Sequence, residues 1–581
     1  MSRQIIGKSK TILLLIACLW SVNAFAARAK VEWKAFQQPD GTVLTLTLCG
    51  DERFSYYLST DGQTYTRDSL GVFHVLTNEQ LQQEVLAKSR RAIRQLPSIT
   101  TDWDPNRTYR QLVILLSFED YDFSMEDPLD YYNLMFNEKG HNNGTGPGCV
   151  ADYFRDQSNG RFNLQFDVYG PYKVSGNAKS GSSSNYGGSS FREATQLMVA
   201  ENPDIDYSLY DWDNDGYVDQ VIYVYAGLAG NVAGNEGYIW PNTSSFSSVK
   251  TADGHTISAY TASAEKFTDK IYAGFGTVCH EFTHSLGLPD IYPTSRSIGV
   301  FSVVDEWDLM DGGNFTGRGW CPPNYSPLEK MLLGWLEPEE LTEECTISGL
   351  KPVAEGGKVY QIKHTDSEYY LLENRQWSGW DFGLPGQGLV VYHVSYSASK
   401  WGGNTVNNTK GKPNYCLVTA DNLDYDAWDA IMTKRGGSAY AGKAMMNSFY
   451  LSSAPYPWHT DSTDFVNNSL TATSVPATVM YNKNTAGKTM LSKSITDITQ
   501  NADGSVSFTF HPTNFVKGDA NDDLVVNAAD IVEVVNYIMG NPSAAFNFSA
   551  ADVNGDGTVN AADIVLIVNL ILGSNAVTIS R

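Results

Sequence analysis

Residues 279–291 read C-H-E-F-T-H-S-L-G-L-P-D-I and contain the residue types that a hydrolytic metal centre needs. His280 and His284 are four apart, so a helix places both imidazoles on one face, one turn apart. That spacing lets two ring nitrogens bind one tetrahedral zinc ion. Glu281 projects beside them, where it can take a proton from a metal-bound water. Gly287 follows where a helix needs a left-handed residue to stop. The chain can then turn and bring Asp290 back as a third ligand. Asp305 and Glu306 are alternative carboxylate donors for that place. Zinc would lower the pKa of its water to about 7 and polarise a carbonyl. Glu281 would serve as general base and then pass the proton to the leaving amine.

A second pattern places acids on alternate residues. Asp519, Asn521, Asp523 and Asp530 fall at positions 1, 3, 5 and 12 of one loop, and Asp552, Asn554, Asp556 and Asp563 repeat it 33 residues later. Oxygen ligands so spaced converge because the loop winds round a calcium ion, and the carboxylate at position 12 closes the shell. Gly557 holds the sharp-turn position 6 of the second loop. Leu524 holds it in the first, a departure that weakens that site. Each loop runs into an apolar helix, expected over 530–539 and 563–572 and stopped by Gly540 and Gly573. A third set, Asp211, Asp213, Asp215 and Asp219, fills positions 1, 3, 5 and 9 but has Ile222 at position 12. It reads as a structural calcium loop outside the complete EF-hand pattern.

The elements that must position these residues follow from periodicity. Arg3, Lys8 and Lys10, the apolar stretch 11–20 and the A-x-A at 24–26 read as a secretory signal peptide cut after Ala26. Residues 27–96 read as a small α+β unit, with a strand over 42–48, a hairpin at Asp61-Gly62 and a helix over 78–94. A polar linker, 97–106, follows. Leu112–Leu116 is apolar enough for a strand buried on both faces. A helix is expected over 149–158, a strand over 161–166 and a Gly/Ser-rich loop over 175–190. Val221–Tyr225 reads as a strand ended by Ala226-Gly227, and 275–286 as a helix. Residues 341–512 carry short alternating runs that suit a β-sandwich or similar sheet module. His393, on an apolar strand there, reads as a core residue. The expected division is signal peptide 1–26, propeptide-like unit 27–104, catalytic domain 105–340, β-rich domain 341–514 and calcium-loop domain 515–581.

Composition bounds the rest. The 581 residues include 41 basic and 65 acidic ones, a net charge of −24, which repels phosphate backbones and argues against nucleic-acid partners. With 42% hydrophobic residues the chain has material for real cores. No stretch after residue 26 gives ~18 uninterrupted apolar residues, so no membrane span is expected in the mature chain. Cys49, Cys149, Cys279, Cys321, Cys345 and Cys416 form no C-x-x-C pair, and no disulfide is assigned.

Residues from about 110 to 400 resemble the immune inhibitor A family of secreted zinc metallopeptidases. The resemblance rests on H-E-F-T-H-S-L-G-L-P-D-I-Y (280–292), W-D-L-M-D-G-G (307–313), P-L-E-K-M-L-L-G-W (327–335), Y-L-L-E-N-R-Q (370–376) and L-P-G-Q-G-L-V-V-Y-H-V (384–394). It implies a metzincin-like catalytic domain, an N-terminal propeptide, and endopeptidase action on proteins or peptides. It also makes Met310 the methionine of the turn beneath the metal. Residues 516–573 resemble a type I dockerin, which has Asp at position 12 where EF-hands have Glu. That implies calcium-dependent folding and docking to a cohesin-like partner. The expectation is a multidomain α+β protein using zinc and calcium, secreted and extracellular or surface-associated. A catalytically dead adhesive relative is the competing reading. The intact His280, Glu281 and His284 favour the enzyme.

Overall fold

The computed structural model describes residues 27–51, 54–68, 70–77, 79–81, 103–180, 185–294, 302–409, 411–423, 451–459, 466–485, 487–513, 516–523 and 525–574. The expected signal peptide, nearly all of the 78–94 helix, most of the 97–106 linker and Leu524 lie outside these residues.

An antiparallel five-stranded sheet comes first: β1 (Lys34–Gln37), β2 (Val43–Asp51), β3 (Phe54–Ser59), β4 (Thr64–Arg67) and β5 (Phe73–Val75), paired in chain order. Its inner residues Leu46, Leu48, Tyr57 and Phe73 share a core with Ala233 and Trp240 of the following region. The unit is therefore seated on its neighbour rather than tethered beside it.

The central sheet holds β6 (Thr108–Phe118), β7 (Asn163–Val174), β8 (Val221–Leu228), β9 (Asn242–Lys250), β10 (Thr256–Thr268) and β11 (Ile271–Tyr272). Its order is β11-β10-β8-β6-β7, with β9 also on β10; β7, β6, β8 and β10 run parallel. Both faces are covered, which explains the unbroken apolar runs. Val113, Leu115, Ile222 and Val224 face one core, whereas Leu112, Ile114, Leu116, Val221, Tyr223 and Tyr225 face the other. The strand expected to stop at Ala226-Gly227 continues to Leu228, because the ladder with β10 shifts register across those two small residues and resumes where Leu228 pairs with Lys266. The first core takes helices α1 (Pro128–Asn137), α2 (Val150–Gln157) and α4 (Gly276–Ser285), and the second takes α3 (Gly188–Glu201). Cys149 caps α2, its sulfur accepting the Asp152 N–H at 3.5 Å.

Beyond the short α5 (Pro327–Leu332) lies a second five-stranded sheet: β12 (Glu339–Glu340), β14 (Tyr360–Lys363), β15 (Glu368–Arg375), β16 (Gly388–Ser395) and β17 (Tyr415–Leu417). After the pair β18 (Trp458–His459) and β19 (Val466–Asn467), the strands β20 (Ser494–Gln500) and β21 (Val506–His511) join β13 (Cys345–Leu350) in a smaller sheet. The five-stranded sheet is two-sided. Tyr370, Leu372 and Val391 pack against Ile495, Phe508 and Phe510 of the smaller sheet. Leu371, Val390 and Tyr392 share the core that contains Phe282 and Met310. The β-rich region thus buttresses the helix that carries His280 and His284 directly. His393 is buried within it, its Nε2 2.9 Å from Glu368.

At the C-terminus, α7 (Ala528–Ile538) and α9 (Ala561–Ser574) flank the short α8 (Phe548–Ala551). Gly540 follows α7 with φ +80°, whereas α9 runs through Gly573, where a stop was expected. Among the described residues the six cysteines are unpaired with one another, and no helix is long and apolar enough to cross a membrane.

Candidate active site

Helix α4 is buried along its length from Gly276 to His284. Val278, Cys279 and Phe282 anchor one side in the core, which leaves His280 and His284 on the other. At Gly287 the backbone takes φ +97°, a region that glycine enters without steric cost, and the chain reverses. The reversal returns Asp290 to the two histidines. Asp290 Oδ1 lies 3.3 Å from His280 Nε2 and 3.2 Å from His284 Nε2.

The outer ring nitrogens set what those inner atoms can do. His280 Nδ1 lies 2.8 Å from the Leu309 carbonyl, and His284 Nδ1 lies 2.8 Å from the Leu288 carbonyl. A carbonyl only accepts, so each Nδ1 carries the proton and each neutral ring turns a lone pair inward. Two such lone pairs and a carboxylate oxygen, all within 4.8 Å of one another and buried, repel unless a cation joins them. The donor set therefore fits a zinc ion in a site with two nitrogens and one oxygen. In the absence of a metal, protonated imidazoles would supply the positive charge instead: burial works against a charged Asp290, yet the charges of His284 and His280 would outweigh it and hold the carboxyl well below its ordinary range.

Asn404 was not singled out from sequence. Its side-chain amide donates to Asp290 Oδ2 at 2.7 Å, and its Oδ1 accepts the Asp290 N–H at 2.7 Å. This clamp leaves Asp290 Oδ1 for the histidines. Asn404 follows α6 (Ala398–Gly402), far along the chain, and an asparagine in a polar loop gives no sequence signal. Met310 is fully buried in the turn whose Leu309 carbonyl holds His280, and its own carbonyl accepts the Ile291 N–H at 2.8 Å.

Asp305 does not join the histidines. Its carboxylate pairs with Arg28 of the N-terminal segment, and burial raises its pKa against the pull of that arginine. Glu306, beside it on the same short 3₁₀ turn, is likewise absent from the converging set. Glu281 is fully buried next to the histidines, and its Oε1 accepts the backbone N–H of Ala27. Cys49, the one thiol of the N-terminal unit, is buried in β2 with its pKa pushed up to about 12 by burial. A thiol so placed is a core group.

Asp211, Asp213 and Asp215 bring carboxylate oxygens within 4.8 Å of one another. Asp219 stands outside that set, accepting the Trp212 N–H, with its carboxyl pushed up to about 6 by burial and by its acidic neighbours. In the C-terminal loops the two repeats share one hydrogen-bond plan. Asp519 accepts the Asp523 N–H at 3.0 Å, and Asp552 accepts that of Asp556 at 3.2 Å. Asp530 takes the Asn521 and Asn527 amides, and Asp563 takes those of Asn554 and Asn560. Asn521 Nδ2 reaches Asp523 at 3.2 Å, and Asn554 Nδ2 reaches Asp556 at 2.8 Å.

Residues 102–333 match the family model for the immune inhibitor A peptidase M6 catalytic domain, and 517–572 match that for the dockerin type I domain. The pre-pro-metalloprotease PrtV of Vibrio cholerae serotype O1 is 23% identical over 279 residues, covering 41% of this chain and 30% of PrtV. Immune inhibitor A of Bacillus thuringiensis subsp. alesti is 39% identical over 57 residues, covering 10% of this chain and 8% of that protein. The chain thus spans less than a third of the length of either relative. Residues 102–333 form a domain of the peptidase M6 (immune inhibitor A) family, and the chain joins it to a type I dockerin domain.

Proposed function

We propose that the protein is a secreted zinc-dependent endopeptidase of metzincin type, held latent by its N-terminal unit and attached to a partner by its dockerin. The observation that carries this reading is the convergence of His280 Nε2, His284 Nε2 and Asp290 Oδ1 beside the buried Glu281. Those three residues would hold zinc, which supplies Lewis acidity to the attacking water and the scissile carbonyl. Glu281 takes the proton of the attacking water and delivers it to the leaving amide nitrogen. Asn404 keeps the Asp290 carboxylate aimed, and the Leu309 and Leu288 carbonyls keep both imidazoles in the metal-binding tautomer. Burial of α4 in the core keeps bulk water away from these groups.

Latency follows from the contact at Glu281. The Ala27 amide occupies the carboxylate that must accept the proton. Cleavage of a signal peptide after Ala26 would turn that amide into an ammonium and tighten the contact. The unit 27–104 is thereby a propeptide, released when the linker is cut. Casein hydrolysis is expected from a zinc-loaded chain beginning near Arg107 and only weakly from one beginning at Ala27. Equal activity of the two would exclude latency, and inactivity of both would exclude the peptidase.

The Asp211 loop and both dockerin loops are assigned calcium. Ala528-Ala529 and Ala561-Ala562 are exposed at the start of α7 and α9. Val532 on α7 and Met539, which caps its C-terminal end, recur 33 residues later as Val565 and Leu572 on α9, all exposed. Two equivalent apolar faces without hydroxyls suit two-way docking to an apolar groove on a cohesin-like receptor. Removing calcium is expected to abolish the helical circular dichroism of residues 515–581. Helicity that resists the chelator would contradict calcium-dependent folding. A large loss of docking from Ala→Arg on one helix alone would contradict the two-way mode.

A further inference from the structure

Beside Glu281 lies a pocket built for a guanidinium, currently filled by Arg28. The segment around it is laid down in extended form. The Ala27 carbonyl accepts from Trp240 Nε1 at 2.7 Å, the Arg28 carbonyl from Asn231 Nδ2 at 3.2 Å, and the Lys30 N–H donates to the Asn231 carbonyl at 2.7 Å. From this track the Arg28 side chain donates to Ser302 Oγ and to Asp305 Oδ1, with its Nε 3.9 Å from Asp311 Oδ1.

The receiving loop is shaped independently of the N-terminal unit. Asp311 Oδ2 accepts three successive amides, those of Val303 and Val304 at 3.1 Å and Asp305 at 2.9 Å, which aims Oδ1 at the pocket. Asp305 adopts φ +46°, a left-handed conformation uncommon outside glycine and of the kind that concentrates at working sites. A Cβ on Gly312 would lie 2.1 Å from Arg28 Nη2 and 2.2 Å from Asp305 Oδ1, so only glycine leaves room for the guanidinium. When the N-terminal unit departs, two buried carboxylates lose their counter-charge, a state that is strongly unfavourable until another cation enters.

The register of the segment says what that cation would be. Glu281 must hand a proton to the leaving amide nitrogen, and the peptide nitrogen it touches here is that of Ala27. Ala27 thus lies where a substrate's leaving amine would lie, and Arg28 lies where the next substrate residue would lie. We infer that Ser302, Asp305 and Asp311 form a substrate subsite that selects arginine or lysine at the second residue on the amine side of the scissile bond. This deepens the peptidase reading and rests on it.

The test uses the full chain after its linker has been cut, loaded with zinc and given an unbiased mixture of protein-derived peptides, with cleavage sites read by mass spectrometry. Arginine and lysine are expected to be preferred at that position by at least roughly ten-fold over leucine or glutamate, and Asp305→Asn is expected to erase the preference. In parallel, binding of fluorescent Ala-Arg-Ala-Lys-Val-Glu to the unsubstituted protein is expected to be at least roughly ten-fold tighter than that of Ala-Ala-Ala-Lys-Val-Glu. This arm stands even if Asp305→Asn fails to fold. Cleavage without basic preference, a preference that survives in folded Asp305→Asn, or equal binding of the two peptides overturns the subsite alone. Absence of cleavage at any bond overturns the peptidase reading and the subsite with it.

Discussion

A Glu281→Gln protein is expected to hold zinc like the parent and to lose at least ~10²-fold in peptide hydrolysis, the range typical of a general acid–base group. Glutamine preserves the shape of the side chain and removes the carboxylate. The three atoms proposed to bind zinc belong to other residues, with Asp290 Oδ1 3.3 and 3.2 Å from the two Nε2 atoms, so zinc should stay. Zinc content by elemental analysis separates loss of metal from loss of proton transfer. Near-parental hydrolysis by a zinc-loaded Glu281→Gln protein would remove Glu281 from the mechanism. The same substitution is expected to loosen the N-terminal segment, because the Ala27 N–H would face a neutral acceptor in place of a carboxylate.

The second large effect concerns the third ligand. Asp290→Ala is expected to empty the site of zinc and abolish activity, whereas Asp305→Ala should retain zinc. Removing an outer-shell partner typically weakens a metal site roughly 10- to 100-fold, and removing a direct ligand should exceed that. Asp290 meets both histidines and is clamped by Asn404, while Asp305 is turned to Arg28. Zinc analysis of the two variants decides the matter. Metal lost from Asp305→Ala and kept by Asp290→Ala would reverse the assignment.

Much of this site was legible in the sequence because local geometry carries it. Histidines four apart on a helix share a face whatever surrounds them, and a glycine three residues after the second one ends the helix. The strands β6 and β8 were legible for a similar reason, since burial on both faces demands an unbroken apolar run. Other features depend on distant parts of the chain meeting. Sequence favoured Asp290 as the third ligand but kept Asp305 and Glu306 as alternatives, because all three are acidic residues near the motif. What separates Asp290 from Asp305 is Asn404 on one side and Arg28 on the other, each more than a hundred residues from the carboxylate it meets. The role of the β-rich region was also hidden. Its alternating strands predict sheets, but only the fold shows Leu371, Val390 and Tyr392 packed in the core behind α4. Strand and helix ends were the least legible, as at Gly227, where the ladder shifts register and resumes at Leu228, and at Gly573, which α9 runs through.

Casein hydrolysis by the linker-cut chain, followed through zinc removal and zinc return in constant excess calcium, addresses the central claim most directly. Calcium in excess would keep the Asp211 and dockerin loops saturated if they bind it as proposed, so that only the proposed His280, His284 and Asp290 site should respond to a zinc-selective chelator. The account predicts that hydrolysis disappears with zinc, reappears when zinc is restored, and does neither in His280→Ala. Hydrolysis that continues unchanged after zinc has been removed, or that persists in His280→Ala, would contradict it.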